Sequence, residues 1–184
     1  MTIKPILFKP EMVRAICLGR KTQTRRVVCS AHEDPIIKYR QGDLLWVRET
    51  FCWGSDGEPG AQDFVIYRAN YAGPEEKLFR PWTPSIFMPR RASRITLEVT
   101  NVRAQRLQQI SPIDSIAEGV ECAICADTGM KNCKNGCFAA VASFRDLWDS
   151  INAKRGFGWE SNPWVAALEF RAHATNVDTL NTES

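Results

Sequence analysis

Gly19-Arg20-Lys21-Thr22-Gln23-Thr24-Arg25-Arg26 packs four cations and two hydroxyls into eight residues, none of them apolar. A threonine hydroxyl is inert as a nucleophile until a neighbour takes its proton. A lysine can take it once burial or nearby cations lower its pKa. Lys21 as base and Thr24 as nucleophile are therefore one candidate pair, with Arg20, Arg25 and Arg26 as nearby cations. A charged Lys21 would instead hold a developing oxyanion. Binding phosphate asks less, because it needs only cations and donors. The same stretch also reads as a solvated turn, since cations after a helix C-terminus complement its dipole.

A second cluster is Cys122, Cys125, Cys133 and Cys137, spaced C-x2-C-x7-C-x3-C with glycines at 129 and 136. Four thiolates at this spacing can wrap a tetrahedral, structural zinc. The segment has few apolar residues, so a metal would supply folding energy that a core does not. The alternatives are a reduced loop or a disulfide formed on oxidation. Cys17, Cys29 and Cys52 read as core thiols, with Cys17 on the buried face of a helix. His32 and His173 sit in no motif, which argues against histidine-based catalysis.

A third group suits nucleic acid. Arg90, Arg91 and Arg94 follow a proline-rich stretch, and Trp82 and Trp46 are candidate stacking rings. Trp46, inside Leu-Leu-Trp-Val, reads better as core. Arg48 and Glu49 end the same strand, and one of them is expected at the mouth of a barrel, where they could pair.

The elements that must position these residues follow from hydrophobic period and punctuation. Pro5–Phe8 reads as a strand. Lys9 to Gly19 reads as a helix, with Met12, Val13, Ile16 and Cys17 as its buried stripe and Gly19 as its cap. A strand follows from about Thr24 to Cys29. Gly42-Asp43 turns into a strand through Phe51, and Phe64 to Tyr71 is another. The loop from 73 to 93 carries Phe79, Trp82, Ile86, Phe87 and Met88, which call for burial. Ile95, Leu97 and Val99 alternate in a long strand whose later part, Val102 to Leu107, could bend. Ser111 caps a short helix with Pro112 in its first turn. Phe144, Leu147, Trp148 and Ile151 line one face of a further helix, and Asn162 to Phe170 is a closing strand.

The chain has 184 residues, 44% hydrophobic and 24% charged, with a net charge of +3. These values fit one globular domain over 1–170, a Cys-rich insert at about 121–138, and a polar tail over 171–184 expected to fray. The charge is too small for a whole-chain basic field, so a nucleic-acid role would rest on local clusters. No apolar run spans a membrane and the first residues carry no cleavage-site pattern, so the expectation is a cytosolic protein. Seven cysteines, an odd number, then favour free thiols plus a metal over a disulfide framework. Many short strands with a few small helices imply an α+β fold, a small mixed β-barrel with helices at its rim.

The order GRKTQTRR, GDLLWVRETF, SRITLEVTNVRAQRLQQIS, SIAEGV, FRDLWDSIN and NPWVAALEF resembles the ASCH domain proteins, and more narrowly those encoded by bacteriophages and prophages. The resemblance spans about Lys4 to Phe170. It implies a PUA-like barrel beside a cleft that handles RNA, DNA or a modified nucleoside. Some small bacterial members are amidohydrolases that remove the acetyl group from 4-acetylcytidine through a G-x-K-x-x-T motif and a glutamate. Lys21 and Thr24 match that motif, and Glu118 in SIAEGV matches the glutamate more loosely. Other members bind nucleic acid, and some phage members are labelled morphogenetic. Inserts near 53–62, 73–93 and 121–137 set this chain apart from the small members. The expected function is binding of nucleic acid, RNA first, or a nucleotide in a basic cleft. Hydrolysis of an acylated pyrimidine nucleoside and a role in phage assembly are the alternatives.

Overall fold

Ser111 accepts a hydrogen bond from the Asp114 amide and Pro112 fills the first helical position, so the helix read at this point of the sequence forms where its cap dictates. The computed structural model that contains it describes residues 1–28, 36–54, 64–71, 81–121 and 138–180. The chain is α+β, built on a mixed five-stranded sheet and a two-stranded one. Its residues fall into two compact units, Met1–Cys17 with Asp43–Glu98 and Ala172–Ser184, and Leu18–Gly42 with Val99–Arg171.

In the first unit, β1 (Ile3–Leu7) runs parallel to β3 (Leu44–Arg48), which is antiparallel to the start of β6 (Thr96–Arg106). Buried Asp43 fixes the entry to β3. Its carboxylate accepts from the Thr2 amide and hydroxyl and from Lys4 Nζ. Helix α1 (Pro10–Cys17) buries Val13, Ala15 and Ile16. Met12 is only half-buried and Cys17 is exposed, so two of the four expected stripe residues turn away from the core. The strand expected through Phe51 breaks at Glu49-Thr50, and β4 (Phe51–Gly54) pairs with β5 (Phe64–Tyr67) as a separate hairpin. Phe51, Met88 and Ala92 form a small core with Trp53, Val65 and Tyr67. Of the loop residues expected to bury, Met88 does so. Ile86 and Phe87 stay exposed.

The second unit holds β2 (Gln23–Val27), most of β6 and most of β7 (Trp164–His173), in the order β6-β7-β2. β2 and β7 are antiparallel, from Gln23↔Glu169 to Val27↔Val165. β2 starts one residue before the expected strand, and Cys29 lies outside the described residues. β6 runs unbroken to Arg106 and then turns into a 3-10 helix, Leu107–Gln109. Helix α2 is Pro112–Ala117 and α3 is Phe138–Asn152. Phe144 and Trp148 enter a core with Leu107, Ile110 and Val165, whereas Ile151 is exposed. The tail does not fray at 171. β7 continues to His173, and α4 (Val177–Leu180) buries Val177 in the first unit.

Candidate functional site

Strand alternation splits the cationic stretch in two. Successive side chains of β2 point to opposite faces of the sheet. Gln23 and Arg25 share one face and Thr24 and Arg26 the other. The two faces have different chemistry.

On the first face lies α2. Asp114 and Glu118 are four residues apart, so their carboxylates project along one side of the helix. Gly119, at φ +82°, ends the helix in the left-handed conformation. Lys21 Nζ donates to Glu118 Oε2 at 2.8 Å, to the Glu118 carbonyl at 2.7 Å and to the Gln23 carbonyl at 2.8 Å. Arg25 donates to Glu118 Oε1 and Asp114 Oδ2 at 3.0 Å each, and to Gln23 Oε1. Arg103 of β6 reaches Asp114 and Glu169. Lys21 is 2% exposed and Glu118 4%. Burial lowers the Lys21 pKa, Glu118 beside it opposes the shift, and Arg26 and Arg25 add to it.

The structure thus joins Lys21 to Glu118, two of the three expected catalytic residues. Thr24 is buried, on the opposite face of β2 from Gln23 and Arg25. Lys21 and Arg25 do not floor an open basic cleft. They are inside, neutralised by α2. Arg20, on the surface, is paired with Glu121.

The second face carries Arg26, partly buried, whose pKa burial lowers while Tyr39 and Glu118 favour its charge. Arg103 meets Glu169 on the first face, so Arg106, three residues on, belongs to the second, as does Trp164, five residues before Glu169. The contact confirms the parity: the Arg106 guanidinium lies 4.5 Å from the centroid of the Trp164 ring. Arg106 also donates to the Asn162 carbonyl, where the chain turns at φ +41°. Arg106 is exposed, and among the described residues none of its contacts is to a carboxylate. Ala104, on the same face of β6, is exposed as well.

In the first unit, Glu49 does not pair with Arg48. It is 1% exposed and takes a bidentate bond from Arg94, Nε to Oε1 at 2.9 Å and Nη2 to Oε2 at 3.0 Å. Burial raises its pKa and Arg94 opposes the rise. Arg48 instead lies over Trp46 and donates to the Ile86 carbonyl. Arg91 lies 5.5 Å from the Trp53 centroid, Arg90 pairs with Asp178, and Trp82 is half-buried beside Tyr71. Cys122, Cys125, Cys133 and Cys137, the expected zinc ligands, lie outside the described residues. Among the described residues, no group of three or more histidine, cysteine or acidic side chains is placed to hold a metal. No described helix is long and apolar enough to cross a membrane.

Asp114, Arg103, Arg106 and Trp164 were not singled out in the sequence. The spacing of Asp114 and Glu118 was a usable sign that one helix face needed cations. Arg106 carried no such sign, because its face depends on which residues β7 sets beside it.

No family model matches the chain, and no curated protein matches it in sequence. Among solved structures, the chain is similar to the ASCH domain from Lactobacillus crispatus JV V101, with a TM-score of 0.47 and 11% identity over 93% of this chain and 79% of that one. It is also similar to a hypothetical protein, with a TM-score of 0.37 and 12% identity over 94% of this chain and 100% of that one.

Proposed function

We propose that the chain binds nucleic acid, RNA in the first place, at the end of β6 and the start of β7, where exposed Arg106 lies over Trp164, with partly buried Arg26 of β2 on the same face. The observation that carries this reading is Arg106, an exposed guanidinium 4.5 Å from the centroid of an indole, with no carboxylate on it among the described residues. Such a pair offers a phosphate contact and a stacking surface at one place. On the opposite face the cations are already matched by Asp114, Glu118 and Glu169, so they hold α2 to the sheet and leave little charge for a ligand. The test is fluorescence anisotropy of a labelled single-stranded RNA against the full chain at several salt concentrations, with DNA of the same sequence beside it. Affinity should fall with salt, and Arg106→Ala should lessen the salt slope by about one. Salt-independent binding, or an Arg106→Ala protein that binds as the parent does, would overturn the reading.

The buried Lys21–Glu118 pair favours a second reading, an amidohydrolase of an acylated pyrimidine nucleoside. A lysine with a lowered pKa beside a carboxylate is suited to proton transfer. Turnover of 4-acetylcytidine to cytidine and acetate, lost in both Lys21→Ala and Thr24→Ala under conditions where circular dichroism shows each variant folded, would establish it. Loss in the first variant alone would remove Thr24 from the nucleophile role.

A further inference from the structure

Large apolar side chains on a surface are common singly, and where they cluster they mark a candidate contact site. Ile86 is 57% exposed and Phe87 69%, side by side in the 3-10 turn Ser85–Phe87. The support is rigid on both sides. Before the turn, Thr83 and Phe51 exchange backbone hydrogen bonds, 2.7 and 3.2 Å. After it, Met88 is fully buried against Phe51 and Ala92, and its sulfur accepts from the Glu49 amide. Pro84 and Pro89 restrict the backbone at either end. The turn itself is closed by Phe87 N–H to the Pro84 carbonyl and Met88 N–H to the Ser85 carbonyl. The two apolar tips are therefore presented by a fixed turn.

The chemistry around them is cationic and aromatic. Arg48 donates to the Ile86 carbonyl and spreads over Trp46. Arg91 is exposed over Trp53. Neither guanidinium is engaged by a carboxylate among the described residues, and they lie 5.3 and 5.5 Å from the centroids of their indoles. A protein partner with an apolar patch would match Ile86 and Phe87 but leave two guanidiniums to be answered. A single-stranded nucleic acid matches both: a base has a π-face for the Phe87 ring, and its backbone supplies phosphates for Arg48 and Arg91.

We propose that the Ile86–Phe87 tip, with Arg48 and Arg91, is a base-stacking site for single-stranded nucleic acid in the first unit. It rests on the nucleic-acid reading above but on different residues from those of the second unit. Phe87 is the stacking residue, and Ile86 covers the edge of the stacked base.

Phe87→Ala removes an exposed ring, so the fold is expected to survive, as an unchanged thermal midpoint would show. Its affinity for a labelled single-stranded RNA should fall about tenfold, with the salt slope unchanged. Phe87→Trp should restore binding, and its indole fluorescence should be quenched on saturation. Arg91→Ala should weaken binding and lessen the salt slope by about one. A duplex of the same sequence should compete poorly. A parent chain that binds no oligonucleotide would overturn this site and the reading above together. Binding that Arg106→Ala weakens and Phe87→Ala leaves within twofold of the parent would overturn this site alone. So would parent self-association that Phe87→Ala abolishes, because the tip would then be a contact between copies of the chain.

Discussion

Lys21 and Glu118 are joined twice over. The lysine ammonium donates to the glutamate carboxylate and to the backbone carbonyl of the same residue, and the two residues also form an isolated antiparallel bridge. One side chain therefore clamps the start of β2 to the end of α2. Thr22 adds to the clamp by donating its amide to the Ala117 carbonyl.

Lys21→Met should accordingly be strongly destabilising. It leaves a buried carboxylate with Arg25 and takes the lysine donor from two backbone carbonyls, those of Gln23 and Glu118. Breaking a buried pair in this way costs about 3–5 kcal/mol. Lys21→Met/Glu118→Leu should cost less than the two single changes added together, since no unmatched charge remains at the bridge. Urea unfolding of the four proteins reads this directly. Additive losses would show that the pair is not coupled.

The second buried carboxylate should set a pH dependence. Glu49 is pushed above its ordinary value of 4.5, chiefly by burial, with Arg94 opposing. Between 4.5 and the raised value, the folded chain keeps a proton that the unfolded chain has released. The contribution of Glu49 to stability is thus fully present below 4.5 and declines as pH rises through the folded value. Glu49→Gln should flatten the urea midpoint over that window relative to the parent. A parent midpoint that rises through the same window, with no difference from the variant, would contradict the assignment.

How these clusters compare with what the sequence foretold depends on the range of the interactions. The cap at Ser111, the alternation of Ile95, Leu97 and Val99, and the Phe144–Trp148 face are local patterns, and each was legible. Lys21 and Glu118 were paired only through the resemblance to a family, because 97 residues separate them. Arg48 and Glu49 were read as able to pair, and they do not, for the opposite reason. Neighbours along an extended backbone point apart, so Glu49 takes Arg94 from a different segment. Ile86 and Phe87 were expected inside because they are apolar. Nothing local told that Met88, and not they, would enter the core beside their turn.

Ser111→Ala tests how far the clamp depends on its helix. The Ser111 hydroxyl accepts from the Asp114 amide, at the turn that aims Asp114 toward Arg25 and Arg103. Removing such a cap typically costs about 1 kcal/mol. Ser111→Asp should retain most of the stability, because an aspartate can accept the same bond and favours the helix N-terminus. Thermal midpoints in the order parent, Asp, Ala would support the cap. Equal losses in both variants would point to the hydroxyl's shape alone.

Cys17 supplies the last prediction, and it follows from a correction. The helical stripe placed its thiol in the core beside Ile16, but α1 turns it out to solvent, while Cys52 of β4 is buried. The pKa of Cys17 is nevertheless raised, first by the partial burial of its surroundings, with Arg94 lowering and Glu49 raising it in turn. An accessible thiol with a raised pKa holds little thiolate at neutral pH, so it should react more slowly than a free small-molecule thiol. Titration of the native chain with a chromogenic disulfide should lose one reacting thiol in Cys17→Ser and none in Cys52→Ser. The rate of that one thiol should still be climbing with pH above the ordinary cysteine range. A Cys17→Ser protein with the parent's full count of reacting thiols would return Cys17 to the buried face.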